Sequence, residues 1–198
     1  MTIFLFPRPA LSCSMESLRK RVAEGLMEIL ISAEKIQQRV AELARDIAGD
    51  YRGRSVTIVG VLNGSLMFLA DLVRHLDLPL RIGFLQASSY RGAVTTPDQL
   101  RVSPELLPDV RGRQVLLLDD ILDTGRTLSH LLGHVREQGA AGIKIAVLLR
   151  KQGRQQVPLE PDYCGFTIPD KFVVGYGLDY NDEFRHLPYV AVYQPGER

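Results

Sequence analysis

The densest group of chemically useful side chains in this 198-residue chain lies in one stretch, VLLLDDILDTGRTL, at residues 115–128. Its apolar start predicts a buried strand, and two carboxylates, Asp119 and Asp120, follow at the carboxyl end of that strand. Thr124-Gly125-Arg126-Thr127 then opens a predicted helix. In open α/β sheets, ligands bind beyond the carboxyl ends of the strands. We therefore expect a ligand at this turn.

The residue types at this turn fit a sugar phosphate. A helix start preceded by glycine offers backbone N–H groups and the positive end of the helix dipole to a phosphate, and Thr124 and Thr127 add hydroxyl donors. Asp119 and Asp120 repel phosphate, so they suit ribose hydroxyls and hydrated Mg²⁺, which prefers oxygen ligands. The Walker A and GxGxxG patterns are both absent from the sequence. A plain polar turn is the alternative, but it does not explain three acids and two threonines within nine residues.

The rest of the chain supplies the elements that position this turn. Hydrophobic periodicity predicts helices at 33–48, 65–76 and 126–138, with Ser32 capping the first helix and Gly49 ending it. Apolar runs predict strands at 55–62, 80–88, 114–120, 143–150, 171–177 and 189–193. Because strands and helices alternate, the sequence predicts an α/β fold with a mostly parallel sheet.

One predicted connection is unusually long. About 25 residues separate the strands at 80–88 and 114–120, and a compact domain seldom contains so long a structureless link unless it is an active-site lid. The sequence Ser88-Ser89-Tyr90-Arg91-Gly92 favours a lid at about 88–105. A surface loop and an undetected hairpin remain as alternatives.

Length and composition limit the class of protein. The chain is long enough for one sizeable domain, and we expect it at 15–198, after a disordered extension at 1–14. Cys13 and Cys164 suit neither a disulfide framework nor a metal site, which indicates a reducing, cytoplasmic setting. With 24 basic and 23 acidic residues, the chain lacks the basic excess of a nucleic-acid binder. No apolar run approaches the roughly 20 residues of a membrane span.

Residues 119–127, DDILDTGRT, resemble the phosphoribosyl pyrophosphate motif of type I phosphoribosyltransferases. Over roughly 28–193 the chain is similar to the hypoxanthine-guanine branch of that family. Three further segments carry this similarity: VGVLNGSLMFLADL (59–72) resembles the pyrophosphate loop, Ser89-Tyr90 match the lid, and LLRKQ (148–152) with PDKFVVGYGLDYNDEFRHLPYVAV (169–192) resemble the purine site.

The resemblance implies the type I phosphoribosyltransferase fold. This fold is a mostly parallel, twisted sheet flanked by helices, with a small hood from the N-terminal and C-terminal segments and a mobile lid. The implied reaction moves the 5-phosphoribosyl group from phosphoribosyl pyrophosphate to hypoxanthine or guanine, giving IMP or GMP plus pyrophosphate, with Mg²⁺ as cofactor. Purine salvage, a homo-oligomer (dimer or tetramer), and the absence of nucleic-acid and membrane partners also follow.

The resemblance assigns roles residue by residue. Asp123 is the general base, Lys151 meets the purine 6-oxo group, Phe172 stacks on the base and Val173 offers it backbone contacts. Asp119 and Asp120 are expected to meet ribose hydroxyls and hydrated Mg²⁺, Asp179 holds a second Mg²⁺, and Arg185 contacts the pyrophosphate. The remaining substrate contacts are Asn63, Gly64, Ser89, Tyr90, Lys171, Ile121, Leu122, Thr124, Gly125, Arg126 and Thr127.

The sequence departs from the family at two of these positions. Many relatives carry Lys where this chain has Asn63, so backbone N–H groups around Gly64 and Ser65 are expected to meet the pyrophosphate instead. The first acid of the motif is often Glu in this branch, and the shorter Asp119 is expected to reach ribose through water or a slight shift. In the family, the loop at 63–65 can also hold a non-proline cis peptide.

Three alternative interpretations remain open. A uracil-type pyrimidine regulator that binds RNA has a DDVLYTGRT-like motif, with Tyr in place of Asp123, and lacks KFVVGYGLD; an RNA mobility shift at moderate salt would identify it. Phosphoribosyltransferases for adenine, xanthine or orotate, or a structural α/β module, would be distinguished by a panel of bases.

Overall fold

A computed structural model describes residues 27–89, 100–103 and 106–194. In chain order, its elements are β1 (Met27–Ile31), α1 (Ala33–Asp50), β2 (Val56–Leu62), α2 (Leu66–Arg74), β3 (Leu80–Ser89), β4 (Leu100–Ser103), β5 (Gln114–Leu122), α3 (Arg126–Glu137), β6 (Gly142–Lys151), β7 (Tyr163–Ile168), β8 (Val173–Val174) and β9 (Val190–Tyr193).

The larger sheet has the strand order β4-β3-β2-β5-β6-β7. Strands β3, β2, β5, β6 and β7 are parallel, and only β4 runs antiparallel to its neighbour. The parallel strands therefore end at one edge of the sheet, where Leu62, Leu122 and Lys151 end β2, β5 and β6. This arrangement confirms the predicted fold class.

The side chains of the central strand β5 point alternately to the two faces of the sheet, and both faces are covered. Leu116 and Leu118 join the core on the side of α1 and α2. Val115 and Leu117 join a second core on the side of α3. All four side chains are fully buried, so β5 reads as a continuous apolar run, as expected for a parallel strand covered on both faces.

A smaller sheet, β1-β9-β8, joins the N-terminal and C-terminal parts of the described chain. It forms the hood that the resemblance implies, around a core of its own, which consists of Met27, Val174, Phe184, Leu187 and Ala191. A hydrogen bond from Tyr176 Oη to Asp71 Oδ2 (2.7 Å) attaches the hood to α2, and Gln37 Nε2 of α1 reaches the same oxygen at 2.6 Å.

The structure corrects several predicted boundaries. The Ser32 cap is confirmed, because its side chain accepts from Lys35 N (3.4 Å), but α1 continues to Asp50 and Gly49 lies inside the helix. The strand at 171–177 is wrong except for Val173–Val174, since positive φ angles at 175–177 turn the chain away from the sheet. The sequence predicts none of the strands β1, β4 and β7.

The long connection contains an antiparallel pair of strands. Strand β3 extends to Ser89 and pairs antiparallel with β4, from Gln86 opposite Ser103 to Ser89 opposite Leu100. The hairpin alternative is therefore right for these residues, and the prediction of a structureless link is wrong there. The remainder of the predicted lid, including Tyr90, and the extension at 1–14 lie outside the described residues, so lid closure and the domain boundary at residue 15 stay predictions.

None of the helices in the described part of the chain is long and apolar enough to cross a membrane.

Candidate active site

A cavity of about 350 Å³ opens at the carboxyl edge of the larger sheet. Three separate segments line it: the end of β2, the stretch from the end of β5 into α3, and a turn of the hood. The lining residues are Val61, Leu62, Asn63, Gly64, Asp119, Asp120, Ile121, Leu122, Asp123, Thr124, Gly125, Thr127, Leu128, Asp179 and Arg185. The structure thus brings together predicted site residues that lie far apart in the sequence.

The two adjacent acids at the end of β5 are held close together. Asp119 is buried (8% exposed), and its Oδ1 accepts a hydrogen bond from the backbone N–H of Asp120 at 3.0 Å. Burial raises the pKa of Asp119 well above its ordinary value, and the charge of Asp120 raises it further. Burial also raises the pKa of Asp120. A cation or hydroxyl donors at this pair would offset the cost of ionising both acids.

The carboxylate oxygens of the cavity fit a magnesium ion whose coordination is completed by a substrate. Among the described residues, no group of three or more His, Cys, Asp or Glu side chains could hold a metal alone. Mg²⁺ usually keeps several waters and uses one or two carboxylates together with substrate phosphates. The Asp119–Asp120 pair meets that requirement. Asp179 fits less directly, because its two oxygens already contact Arg185 Nη2 (2.9 Å) and the backbone N–H of Asp182 (2.9 Å).

The loop after β2 presents backbone to the cavity. The Leu62–Asn63 peptide is cis, the Asn63 residue is exposed, and α2 begins three residues later at Leu66. The Ser65 hydroxyl is buried and has no hydrogen-bond partner within the described part of the chain. Because 61–65 contains no cationic side chain, an anion at this loop would meet mainly backbone N–H groups. The expectation for Ser65 is wrong in this respect, since its backbone N–H already donates to the Val61 carbonyl oxygen at 3.2 Å.

Two glycines allow the three segments to meet. A Cβ atom on Gly64 would overlap the Asp120 carboxylate, and one on Gly177 would overlap the Gly64 carbonyl oxygen. Gly177 also has a φ of +99°, which favours glycine. At the cavity, the loop after β2 thus approaches the hood backbone to backbone and packs against the Asp120 carboxylate of β5.

Arg185 is the cation at the rim of this cavity. Its Nη1 donates to the Gly177 carbonyl oxygen at 2.8 Å, and its Nη2 lies 2.9 Å from Asp179 and 3.2 Å from Asp182. These contacts hold the guanidinium beside the same turn that packs against Gly64.

A second group of charges lies where β6 ends beside β5. Lys151 is largely buried (12% exposed), and its Nζ lies 3.4 Å from Asp123 Oδ2. Sequence reasoning missed two neighbours of this pair: Arg154 Nε donates to Asp123 Oδ1 at 3.0 Å, and Asp170 lies 3.6 Å from both cations. Gly153, directly before Arg154, is the sequence signal that could have predicted this contact. Its φ of +73° turns the chain so that Arg154 lies toward Asp123.

The predicted base-binding residues lie outside the lining of the cavity. Phe172 is 47% exposed and contacts Tyr180 edge-on, with ring centroids 5.8 Å apart. Val173 is buried in β8, and Lys171 Nζ lies 3.8 Å from Glu28 Oε2. Among the other predicted contacts, Arg126 is exposed at the start of α3 and Ser89 ends β3.

Comparison with known proteins identifies a family model and close relatives. The phosphoribosyl transferase domain matches residues 28–181. The chain is 40% identical over 167 residues to the hypoxanthine-guanine phosphoribosyltransferase of Streptococcus pneumoniae, covering 84% of this chain and 93% of that protein. It also matches a crystal structure of a hypoxanthine phosphoribosyltransferase from Staphylococcus aureus with a TM-score of 0.81 and 36% identity, covering 88% of this chain and 95% of the other.

A longer relative contains a similar segment. The bifunctional protein TilS/HprT of Listeria innocua is 38% identical over 170 residues, which cover 86% of this chain. The chain spans about a quarter of that relative's length (26%).

We expect Gly177→Ala to destabilise the fold, because its methyl group would overlap the backbone carbonyl oxygen of Gly64 and its φ of +99° is unfavourable for alanine. Overpacking of this kind typically costs about 1–3 kcal/mol. Gly49→Ala is the matched control, since it lies inside α1 with nothing within 4 Å of an added Cβ. The free energy of unfolding in urea should fall for Gly177→Ala and not for Gly49→Ala. Equal stabilities for Gly177→Ala and wild type would refute the close approach.

Proposed function

Because this chain belongs to the hypoxanthine-guanine phosphoribosyltransferase family, we propose that it transfers the 5-phosphoribosyl group from phosphoribosyl pyrophosphate to hypoxanthine or guanine. The products would be IMP or GMP and pyrophosphate, and the role would be purine salvage. The observation that carries the proposal is one cavity shared by residues 61–64, 119–125, 127–128, Asp179 and Arg185, with the Asp123–Lys151 pair at its side.

The 5-phosphate of the sugar is proposed to bind at the start of α3. Gly125 adopts a left-handed conformation (φ +82°) directly before the first residue of this 12-residue helix. Thr124 and Thr127 line the cavity at the same point. Backbone N–H groups and the helix dipole favour a phosphate there. Fixing the phosphate positions the anomeric carbon for attack, which lowers the entropic cost of the reaction.

Pyrophosphate is proposed to leave toward the loop after β2. Asp119 and Asp120 would accept hydrogen bonds from the ribose hydroxyls and hold hydrated Mg²⁺, and Asp179 would hold a second Mg²⁺. Mg²⁺, when bound, supplies Lewis-acid neutralisation of the leaving group and a template for it. Arg185 would add positive charge at the rim, while the backbone N–H groups near Asn63 and Gly64 contact the phosphates.

The purine is proposed to lie between Asp123 and the hood. Asp123 is the proposed general base, taking the proton from the imidazole ring as the glycosidic bond forms. The Lys151 ammonium, which has three donors and no acceptor, suits the 6-oxo group. The exposed ring of Phe172 offers a stacking surface, with backbone contacts from Val173. Lys171 follows the ion-paired Asp170 and would contact substrate from the same segment.

The lid, the cellular location and the oligomeric state complete the proposal. The Ser89-Tyr90 pair would close over the site as part of a lid and exclude water, which otherwise hydrolyses the activated sugar. We propose a cytoplasmic location, because the two cysteines indicate a reducing setting. A homo-oligomer without nucleic-acid or membrane partners is likewise part of the proposal.

Replacing Asp123 with Asn tests the general base. The amide keeps the shape of the side chain but cannot take the proton, so turnover should fall by roughly 10²–10⁴-fold. The KM for phosphoribosyl pyrophosphate should change much less. The measurement is steady-state kinetics with hypoxanthine at saturating phosphoribosyl pyrophosphate. Near wild-type turnover in this variant would remove Asp123 from the role of base.

Replacing Lys151 with Ala tests the recognition of 6-oxopurines. Wild type should use hypoxanthine and guanine and reject adenine, because the Lys151 ammonium and the 6-amino group of adenine are both hydrogen-bond donors. Polar sites mismatched in this way can lower kcat/KM by about 10⁴–10⁵-fold. In Lys151→Ala, kcat/KM for hypoxanthine should fall steeply while the trace rate with adenine changes little.

Lys144→Ala is the matched control for the base panel. Lys144 lies on the same strand and pairs with Asp50 at 2.5 Å, away from the cavity lining, so its replacement should leave the preference among bases unchanged. The proposed base pocket would be contradicted if wild type used adenine efficiently, or if Lys151→Ala left kcat/KM for hypoxanthine unchanged.

A further inference from the structure

Four side chains beside the cavity form a closed ring of alternating charge. Asp123 contacts Lys151 (3.4 Å) and Arg154 (3.0 Å), and Asp170 contacts the same two cations at 3.6 Å each. Two carboxylates alternate with two cationic side chains, so the formal charge of the ring is zero. The proposed function gives roles to Asp123 and Lys151 and none to Arg154 and Asp170.

Backbone contacts hold the loop that carries Arg154 in place. At its start, Gln152 N donates to the carbonyl oxygen of Ile168 (2.9 Å), two residues before Asp170. At its end, Gln156 N and Val157 N donate to the carbonyl oxygen of Thr124 (2.9 and 3.3 Å), directly after Asp123. The loop is therefore fixed to both segments that supply the acids of the ring.

The ring contributes little to the stability of the fold. The side chains of Arg154, Asp170 and Asp123 are 45%, 50% and 36% exposed, and ion pairs this accessible to water are typically worth about 0–1 kcal/mol. Variants of Arg154 and Asp170 should therefore fold, and the value of the ring lies in where it holds Asp123 and Lys151.

We propose that Arg154 and Asp170 are positioning residues that keep Asp123 and Lys151 available to a 6-oxopurine. This inference rests on the proposed function. A purine with an imidazole N–H donor and a 6-oxo acceptor presents the complement of a carboxylate beside an ammonium. To accept the base, Asp123 and Lys151 must exchange their mutual contact for contacts to the purine.

The outer pair makes that exchange favourable. When the base enters, Asp123 keeps its hydrogen bond from Arg154 and Lys151 keeps its contact with Asp170, so neither charge is left unpaired. Without Arg154 and Asp170, Asp123 and Lys151 would have only each other, and the purine would have to separate a direct ion pair. An unpaired, partly buried charge is costly, so the base would bind more weakly.

The test is steady-state kinetics, in which the two substrates report different parts of the site. The KM for hypoxanthine, which carries both the imidazole N–H and the 6-oxo group, reports the base site, and the KM for phosphoribosyl pyrophosphate reports the phosphate sites. We expect Arg154→Gln and Asp170→Asn each to raise the KM for hypoxanthine by roughly tenfold, as for the loss of one charge-assisted contact. The KM for phosphoribosyl pyrophosphate should stay unchanged, since neither residue lines the cavity. Arg154→Lys should bring the KM for hypoxanthine part of the way back, because it keeps the charge.

The control is Glu160→Gln, which removes an exposed ion pair with Arg150 from the same part of the chain (2.7 Å) and leaves the ring intact. Both KM values of this variant should match those of wild type. If the Arg154 and Asp170 variants keep the wild-type KM for hypoxanthine, the positioning role is wrong. The role is also wrong if the KM values for hypoxanthine and phosphoribosyl pyrophosphate rise alike. A wild-type protein that turns over neither hypoxanthine nor guanine would instead contradict the proposed function.

Discussion

Two adjacent carboxylates, Asp119 and Asp120, lie near the carboxyl end of the central strand β5, and the rest of the site depends on how these two acids are accommodated there. Burial raises the pKa of both acids, so they need a cation or hydroxyl donors to ionise together. Gly64 leaves room for the Asp120 carboxylate, and Gly177 lets the hood approach the same point. A side chain at either glycine would overlap the neighbouring segment at this point of the cavity, which Arg185 also lines.

The topology of the sheet turns this local constraint into a site with two halves. Because β2, β5 and β6 are parallel, their carboxyl ends lie at one edge. The end of β5 faces the loop after β2 on one side, where a pyrophosphate is proposed to bind. It faces the end of β6 on the other side, where Lys151 lies 3.4 Å from Asp123. The proposed sugar site lies between them, at the start of α3.

The parts of the structure that the sequence could predict are those with a strong local signal. The apolar run of β5, the periodic faces of α1 and α3, and the DDILDTGRT turn are readable because the residues that decide them are neighbours in the chain. The contact between Gly64 and Gly177 and the hydrogen bond from Arg154 to Asp123 join residues far apart in sequence. Strand β8 was overestimated because the turn at Gly175–Gly177 follows an apolar run, and β7 was missed because it is only partly buried.

The most direct test of the account is a calorimetric titration of the wild-type protein with phosphoribosyl pyrophosphate, with Mg²⁺ present and again with Mg²⁺ removed by a chelator. The acid pair at the end of β5 should repel this ligand unless a divalent cation accompanies it. The account predicts saturable binding of one phosphoribosyl pyrophosphate per chain with Mg²⁺ and much weaker binding without it. Equal affinity under both conditions, or no binding under either, would contradict the claim that this edge of the sheet is a magnesium-assisted phosphoribosyl site.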